Sequence, residues 1–230
     1  MAAVSGNSDI NNIHNIILTI DSNTTVNVPN IGKIKSRSSQ ISYYDFKNLV
    51  ASSINYTIQD NKMTYARTIH SNGKMTLITE DGQRNEIPFD FPIDLISTVY
   101  FDIPADAEVV KMEIFNDIEA YVVKYVVKNE KQAPIDATLY FDKASGHIIG
   151  YKSITPLPTI NDEMESLTIF SDFKEFNGLN FSTKSMVTSS SKSMQSNYET
   201  YSNYYFNVDG EDFKNNCFQN PKSCYSTYFK

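Results

Sequence analysis

The chain has 230 residues, of which 40% are hydrophobic and 20% charged, and this balance excludes general disorder and supports one β-rich domain. A formal net charge of -7, with no basic cluster denser than Lys33, Lys35 and Arg37, excludes a nucleic-acid partner, which would need a basic face. No apolar run reaches the roughly 18 residues of a spanning helix, so the chain is not expected to span a membrane.

The aromatic content, 15 Tyr and 14 Phe with no Trp, suits half-buried sheet surfaces. Residues 1–12 read as a polar lead-in, 13–213 as a single β-rich domain, and 214–230 as a polar C-terminal tail. The start MAAVSGNSDINN has neither a basic nor an apolar leader region, as in a cytoplasmic protein or in a mature chain whose leader has been removed.

Ile13 to Ile20 and Thr24 to Val28 predict a first hairpin that turns at Asp21-Ser22-Asn23. Two strands follow between Ile31 and Ile58. A meander from Met63 to Ile87 has the Asn-Gly turn at Asn72-Gly73 and a second turn at Asp81-Gly82, with Asp60-Asn61 turning into it. Within it, Arg67 and His70 are three residues apart and so fall on opposite faces of one strand. Pro92, with Asp90 as cap and apolar Ile93, Leu95, Ile96, Val99 and Tyr100, predicts one short helix, either a plug over the sheet or a connecting loop.

From Ala107 to Ile154 the strands are clearest: VVKMEI, a turn at Asn116-Asp117, IEAYVVKYVV, a polar excursion KNEKQAPID, TLYFD, a turn at Lys143 to Gly146, and HIIGYKSI. Strands this close in sequence must be antiparallel neighbours, because a parallel crossover needs about a dozen residues or more. Pro156 and Pro158 are expected to interrupt the sheet. A hairpin through Asn177-Gly178 follows, then a serine-rich loop from Thr188 to Asn197. A last strand carries Tyr198, Thr200, Ser202, Tyr204 and Phe206 on one face.

Cys217 and Cys224 flank the turn signal Asn220-Pro221 and read as a small disulfide-closed loop, against the alternative of two free thiols. A disulfide implies an oxidising compartment. His14, His70 and His147 are scattered, and neither a metal-ligand spacing, a nucleophile elbow nor a phosphate loop is present, so the expectation is a protein without catalytic residues, metal or cofactor.

Four pieces, Glu119 to Val123 (EAYVV), Leu139 to Gly146 (LYFDKASG), Ser171 to Phe181 (SDFKEFNGLNF) and Phe206 to Phe213 (FNVDGEDF), lie in an order that resembles the later strands of the periplasmic lipoprotein-carrier superfamily. These are the LolA/LolB-like, outer-membrane lipoprotein-sorting proteins. The resemblance implies a mainly β fold: a strongly curved antiparallel sheet, an unclosed half barrel, with one or two short helices against its concave face and an apolar cavity for acyl chains. It assigns the carriers' functional arginine to none of Arg37, Arg67 and Arg84. It further implies a Gram-negative periplasm or cell envelope and a lipid or other hydrophobic small molecule as partner, with a lipoprotein or envelope protein as a further candidate.

The expected function is non-catalytic binding of a lipid, acyl chain or other hydrophobe, and the alternative is a protein-interaction module of an envelope complex without a small-molecule ligand. The expected state is a monomer. The residues placed on the apolar, ligand-lining side are Tyr121, Val123, Leu139, Phe141, Ile149, Ile169 and Phe181, each of which also suits ordinary core packing.

Overall fold

The computed structural model describes residues 13–59, 62–88, 107–129, 132–158, 161–176, 179–192 and 194–229. The lead-in, the turns at Asp60-Asn61 and Asn177-Gly178, and the helix expected around Pro92 lie outside them.

The described residues form one antiparallel sheet of 13 strands: β1 (Asn15–Val28), β2 (Gly32–Asp45), β3 (Val50–Gln59), β4 (Lys62–Ser71), β5 (Lys74–Thr79), β6 (Arg84–Pro88), β7 (Glu108–Phe115), β8 (Ile118–Asn129), β9 (Gln132–Asp142), β10 (Ile148–Leu157), β11 (Asp162–Phe176), β12 (Leu179–Ser190) and β13 (Gln195–Phe206). The sheet is two meanders joined where β1 pairs with β13, and its order runs β6 through β1, then β13 down to β7. The first and last strands of that order do not meet, so the sheet stays open.

The local chemistry explains most of the turns. Asn72 and Gly73 take φ of 53° and 70°, and Asn116 and Asp117 take 49° and 66°, the pair of positive angles that a type I′ hairpin requires. The Asp21-Ser22-Asn23 turn is absent, because β1 runs straight through it. These residues pair with β2 on one side and β13 on the other, and Asp21 accepts hydrogen bonds from Arg37 and Ser39. Ladder bonds on both edges outweigh the turn preference of three polar residues. The chain turns instead at Pro29-Asn30-Ile31, where Asn30 has φ 67°.

Two other stretches read as loops are strand. Pro156 lies inside β10, opposite Glu163, beyond Ile154 where the pairing with β9 ends, so its missing N–H leaves no ladder bond unmade on that side. The serine-rich stretch continues β12 to Ser190 and resumes in β13 at Gln195. Ser189 and Ser196 are buried, and Ser189 shares a 2.8 Å hydroxyl bond with Ser166.

The polar-looking C-terminus folds as a cap. Its parts are α1 (Gly210–Phe213), a π-helical turn over Lys214–Phe218, and α2 (Pro221–Tyr228), and Cys217 and Cys224 are joined by a disulfide. The cap buries Phe213, Cys217 and Cys224 against Ile17, Ile41, Ile54 and Tyr56 of β1–β3. We call this side the helix face. Ile16, Leu18, Tyr44, Ala51, Leu179, Phe181 and Tyr204 form a second cluster on the far face, as the alternation of Ile16, Ile17 and Leu18 dictates.

Arg67 and His70 fall on opposite faces, as their spacing requires. Arg67 lies on the helix face, donates to the Phe218 carbonyl at 3.3 Å and has its guanidinium 5.6 Å from the Phe218 ring centroid, so it anchors the cap. His70 is buried on the far face opposite Ala51, and desolvation holds its imidazole pKa below the ordinary value. The folded state therefore binds fewer protons than the unfolded one. The stability this group contributes is complete above the unfolded pKa of ~6.5 and is lost as the pH falls below it. Urea midpoints followed from about pH 7.5 to 5.5 should fall further for the wild type than for His70→Gln. Equal falls would show that His70 is not the group responsible.

Candidate ligand-binding face

β8 to β11 bring a third apolar cluster together on the far face. Val123, Leu139, Phe141, Ile148 and Phe170 are buried in it, with Tyr125, Tyr151 and Phe173 packed alongside. The register makes this inevitable: Tyr121 stands opposite Phe141, which stands opposite Ile148, and Val123 stands opposite Leu139, which stands opposite Tyr151. Burial pushes the Tyr125 phenol up to about 12, so its ring adds no charge to this surface. One row further along the strands the far face turns polar, through Ser153, Ser166, Ser189 and Ser196.

The cluster is not closed over at the β7 end. Tyr121 is 39% exposed, and its far-face neighbours on β7, Val109, Met112 and Ile114, are 65%, 55% and 65% exposed. Apolar side chains of this size in one contiguous patch mark a contact surface rather than a solvated one. The buried part is a floor, and the exposed part is what a ligand could reach.

Five of the seven sequence-derived lining residues share this face, but they divide. Val123, Leu139 and Phe141 make the floor, Tyr121 stands at its rim, and Phe181 belongs to the separate cluster around Leu18 and Tyr204. Ile149 and Ile169 point the other way. A bulge between Ile148 and Gly150 turns Ile149 to the helix face with Ala120, Val122 and Tyr140, and Ile169 stands opposite Gly150 on that same side. Sequence alternation misses Val109, Met112 and Ile114, whose exposure follows from β7 being an edge strand.

The helix face over β7–β10 carries a cavity of 640 Å3 with a mixed lining, in which Lys111, Lys124, Lys152, Glu108, Glu113 and Asp136 stand beside apolar residues such as Val122, Val126 and Ile154. Lys111 pairs with Glu113 and Lys152 with Glu165, so charges interrupt the apolar surface here, unlike the far face. Beside it Phe115 stacks on Tyr140 with ring centroids 3.9 Å apart, and a Cβ on Gly150 would come within 2.5 Å of the Phe115 ring. Gly150→Ala should displace Phe115 and cost about 1–3 kcal/mol in chemical denaturation. An unchanged midpoint would mean that the ring swings aside freely.

Among the described residues no group of three or more His, Cys, Asp or Glu side chains could hold a metal ion. No helix among them is long and apolar enough to cross a membrane.

No protein-family model and no curated protein matches the chain. Solved structures do. An outer membrane lipoprotein-sorting protein domain from Vibrio parahaemolyticus superposes with a TM-score of 0.54 over 88% of this chain and 90% of its own, at 11% identity. The fold is LolA-like. A LolA superfamily protein from Nitrosomonas europaea agrees, with a TM-score of 0.51 and 7% identity over 86% of this chain and 89% of its own. At such identities the LolA-like fold is what the chain shares with them.

Proposed function

We propose that this protein is a non-catalytic carrier or holder of a hydrophobic ligand, an acyl chain or lipid, bound against the far face of β7–β11. The observation that carries the reading is the continuity between the buried floor of Val123, Leu139 and Phe141 and the exposed rim of Val109, Met112, Ile114 and Tyr121. The LolA-like fold supports it, since one structural neighbour is described as a lipoprotein-sorting domain. Burial against such a surface stabilises a bound chain by about 25 cal/mol per Å2 of apolar area removed from water. A periplasmic or other envelope location belongs to the same proposal and draws on the Cys217–Cys224 disulfide, which needs an oxidising compartment.

The test is to extract the purified protein with organic solvent and identify any lipid, and to titrate it with a fluorescent fatty-acid probe. Saturable binding that weakens on Val109→Asp, and is indifferent to Lys124→Glu on the opposite face, is the expected result. Absence of both extracted lipid and saturable binding would sink the reading. Location is checked separately by titrating thiols in denatured protein from its native source, where two free thiols would count against export.

A further inference from the structure

The two ends of the sheet are built differently. β6 is five exposed residues, RNEIP, in which Arg84, Glu86 and Pro88 make a poor template for another strand. β7 is eight residues, EVVKMEIF, apolar and exposed, and among the described residues no strand pairs with its outer side. Its hairpin with β8 has a two-residue type I′ turn and closes on Phe115 and Ile118. Such a turn closes on a hydrogen-bonded pair, so alternation sends the N–H and C=O of Phe115, Glu113 and Lys111 toward β8 and those of Ile114 and Met112 outward. A bulge between Val109 and Lys111 ends the regular run on the other side.

We propose that β7 pairs antiparallel with β7 of a second copy of this chain, about a two-fold axis through Met112, joining the two open sheets edge to edge. The charge pattern selects this register. Centred on Met112, Lys111 stands opposite the partner's Glu113 and Glu113 opposite the partner's Lys111, on the face where the two already pair within one strand. Centred one residue earlier the axis would set lysine against lysine, and one later glutamate against glutamate. The outward N–H and C=O of Met112 then bond the partner's Met112 reciprocally.

An axis normal to the sheet keeps both far faces on one side, so the Val109, Met112, Ile114 and Tyr121 patches of the two copies become continuous. The pairing stands apart from the ligand-holding function, and its test does not involve ligand.

Sedimentation velocity on the full chain, from micromolar to about 1 mM, reads the outcome directly. A concentration-dependent dimer is expected. Lys111→Glu and Glu113→Lys should each weaken it about tenfold by setting like charges opposite each other twice per dimer, and the double swap should return it to near wild type. Met112→Cys, oxidised gently, should give an intermolecular disulfide across the axis, whereas Ile114→Cys, offset along the strand from its own copy, should not. A chain that stays monomeric throughout, a dimer indifferent to the single swaps, a double swap that stays weak, or a cross-link at Ile114→Cys in place of Met112→Cys would each overturn the proposal. The cysteine pair decides the matter if a charge variant fails to fold.

Discussion

Leu139→Ala will destabilise the protein by about 2–5 kcal/mol, while Tyr121→Ala, diagonal to it on neighbouring β8 and on the same face, will leave stability nearly unchanged and weaken hydrophobic-probe binding. Leu139 is 0% exposed, sits between Val123 of β8 and Tyr151 of β10, and belongs to the cluster that ties four strands together. Removing its three distal carbons leaves a cavity that rigid strands on either side cannot collapse to fill. Tyr121, at 39% exposure, stands at the rim, where under the proposed function its contact area serves a ligand more than the fold. Urea denaturation and probe titration on both variants separate the roles. If Tyr121→Ala proved as destabilising as Leu139→Ala while binding was untouched, the rim would be ordinary core and the proposed binding face would lose its accessible part.

The same two residues show what the amino-acid order reveals and what it withholds. Period-two alternation in EAYVVKYVV and TLYFD puts Tyr121, Val123, Leu139 and Phe141 on one side without ambiguity, because a strand has only two sides. It cannot say which of them is floor and which is rim. That depends on the order of strands across the sheet, and hence on β7 having one neighbour among the described residues where β9 has two. Ile149 and Ile169 were misplaced for a different reason. A single extra residue between Ile148 and Gly150 reverses the parity of all that follows in β10, and nothing in HIIGYK marks a bulge except a glycine that could equally mark a turn.

Polar stretches misled in a consistent direction. Asp21-Ser22-Asn23 and the serines near Ser189 look like loops by composition, yet both lie in strands with pairing on each side, where hydroxyl and carboxylate groups find partners across the ladder. Residues 214–230 read as a tail because their apolar residues are few and widely spaced. Those few, Cys217, Phe218, Cys224, Tyr225, Tyr228 and Phe229, are the ones that cover the helix face.

That cap supports the second large effect, which is expected from Cys217→Ser with Cys224→Ser, or from reduction of the wild type. The disulfide closes a loop of eight residues, for which the chain-entropy relation gives about 2–3 kcal/mol at 25 °C. Both sulfurs are buried, so replacing them with hydroxyls adds a desolvation cost to the lost cross-link. The consequence reaches past the loop. The Tyr56 hydroxyl donates to the Pro221 carbonyl at 2.7 Å, and its ring packs edge-on against Tyr225 and Phe229 at centroid distances of 5.0 and 6.0 Å. Loosening α2 therefore uncovers a tyrosine that is 0% exposed, together with Ile41 and Ile54 beneath it. The double variant should show a lower urea midpoint and a reduced near-ultraviolet tyrosine signal, while far-ultraviolet strand content in the absence of urea is retained. Arg67→Met, which removes the donor to Phe218 but keeps the disulfide, should give the same spectral change to a smaller degree. A wild type whose midpoint is indifferent to reductant would show that the cap is held by packing alone and that the cross-link adds nothing to it.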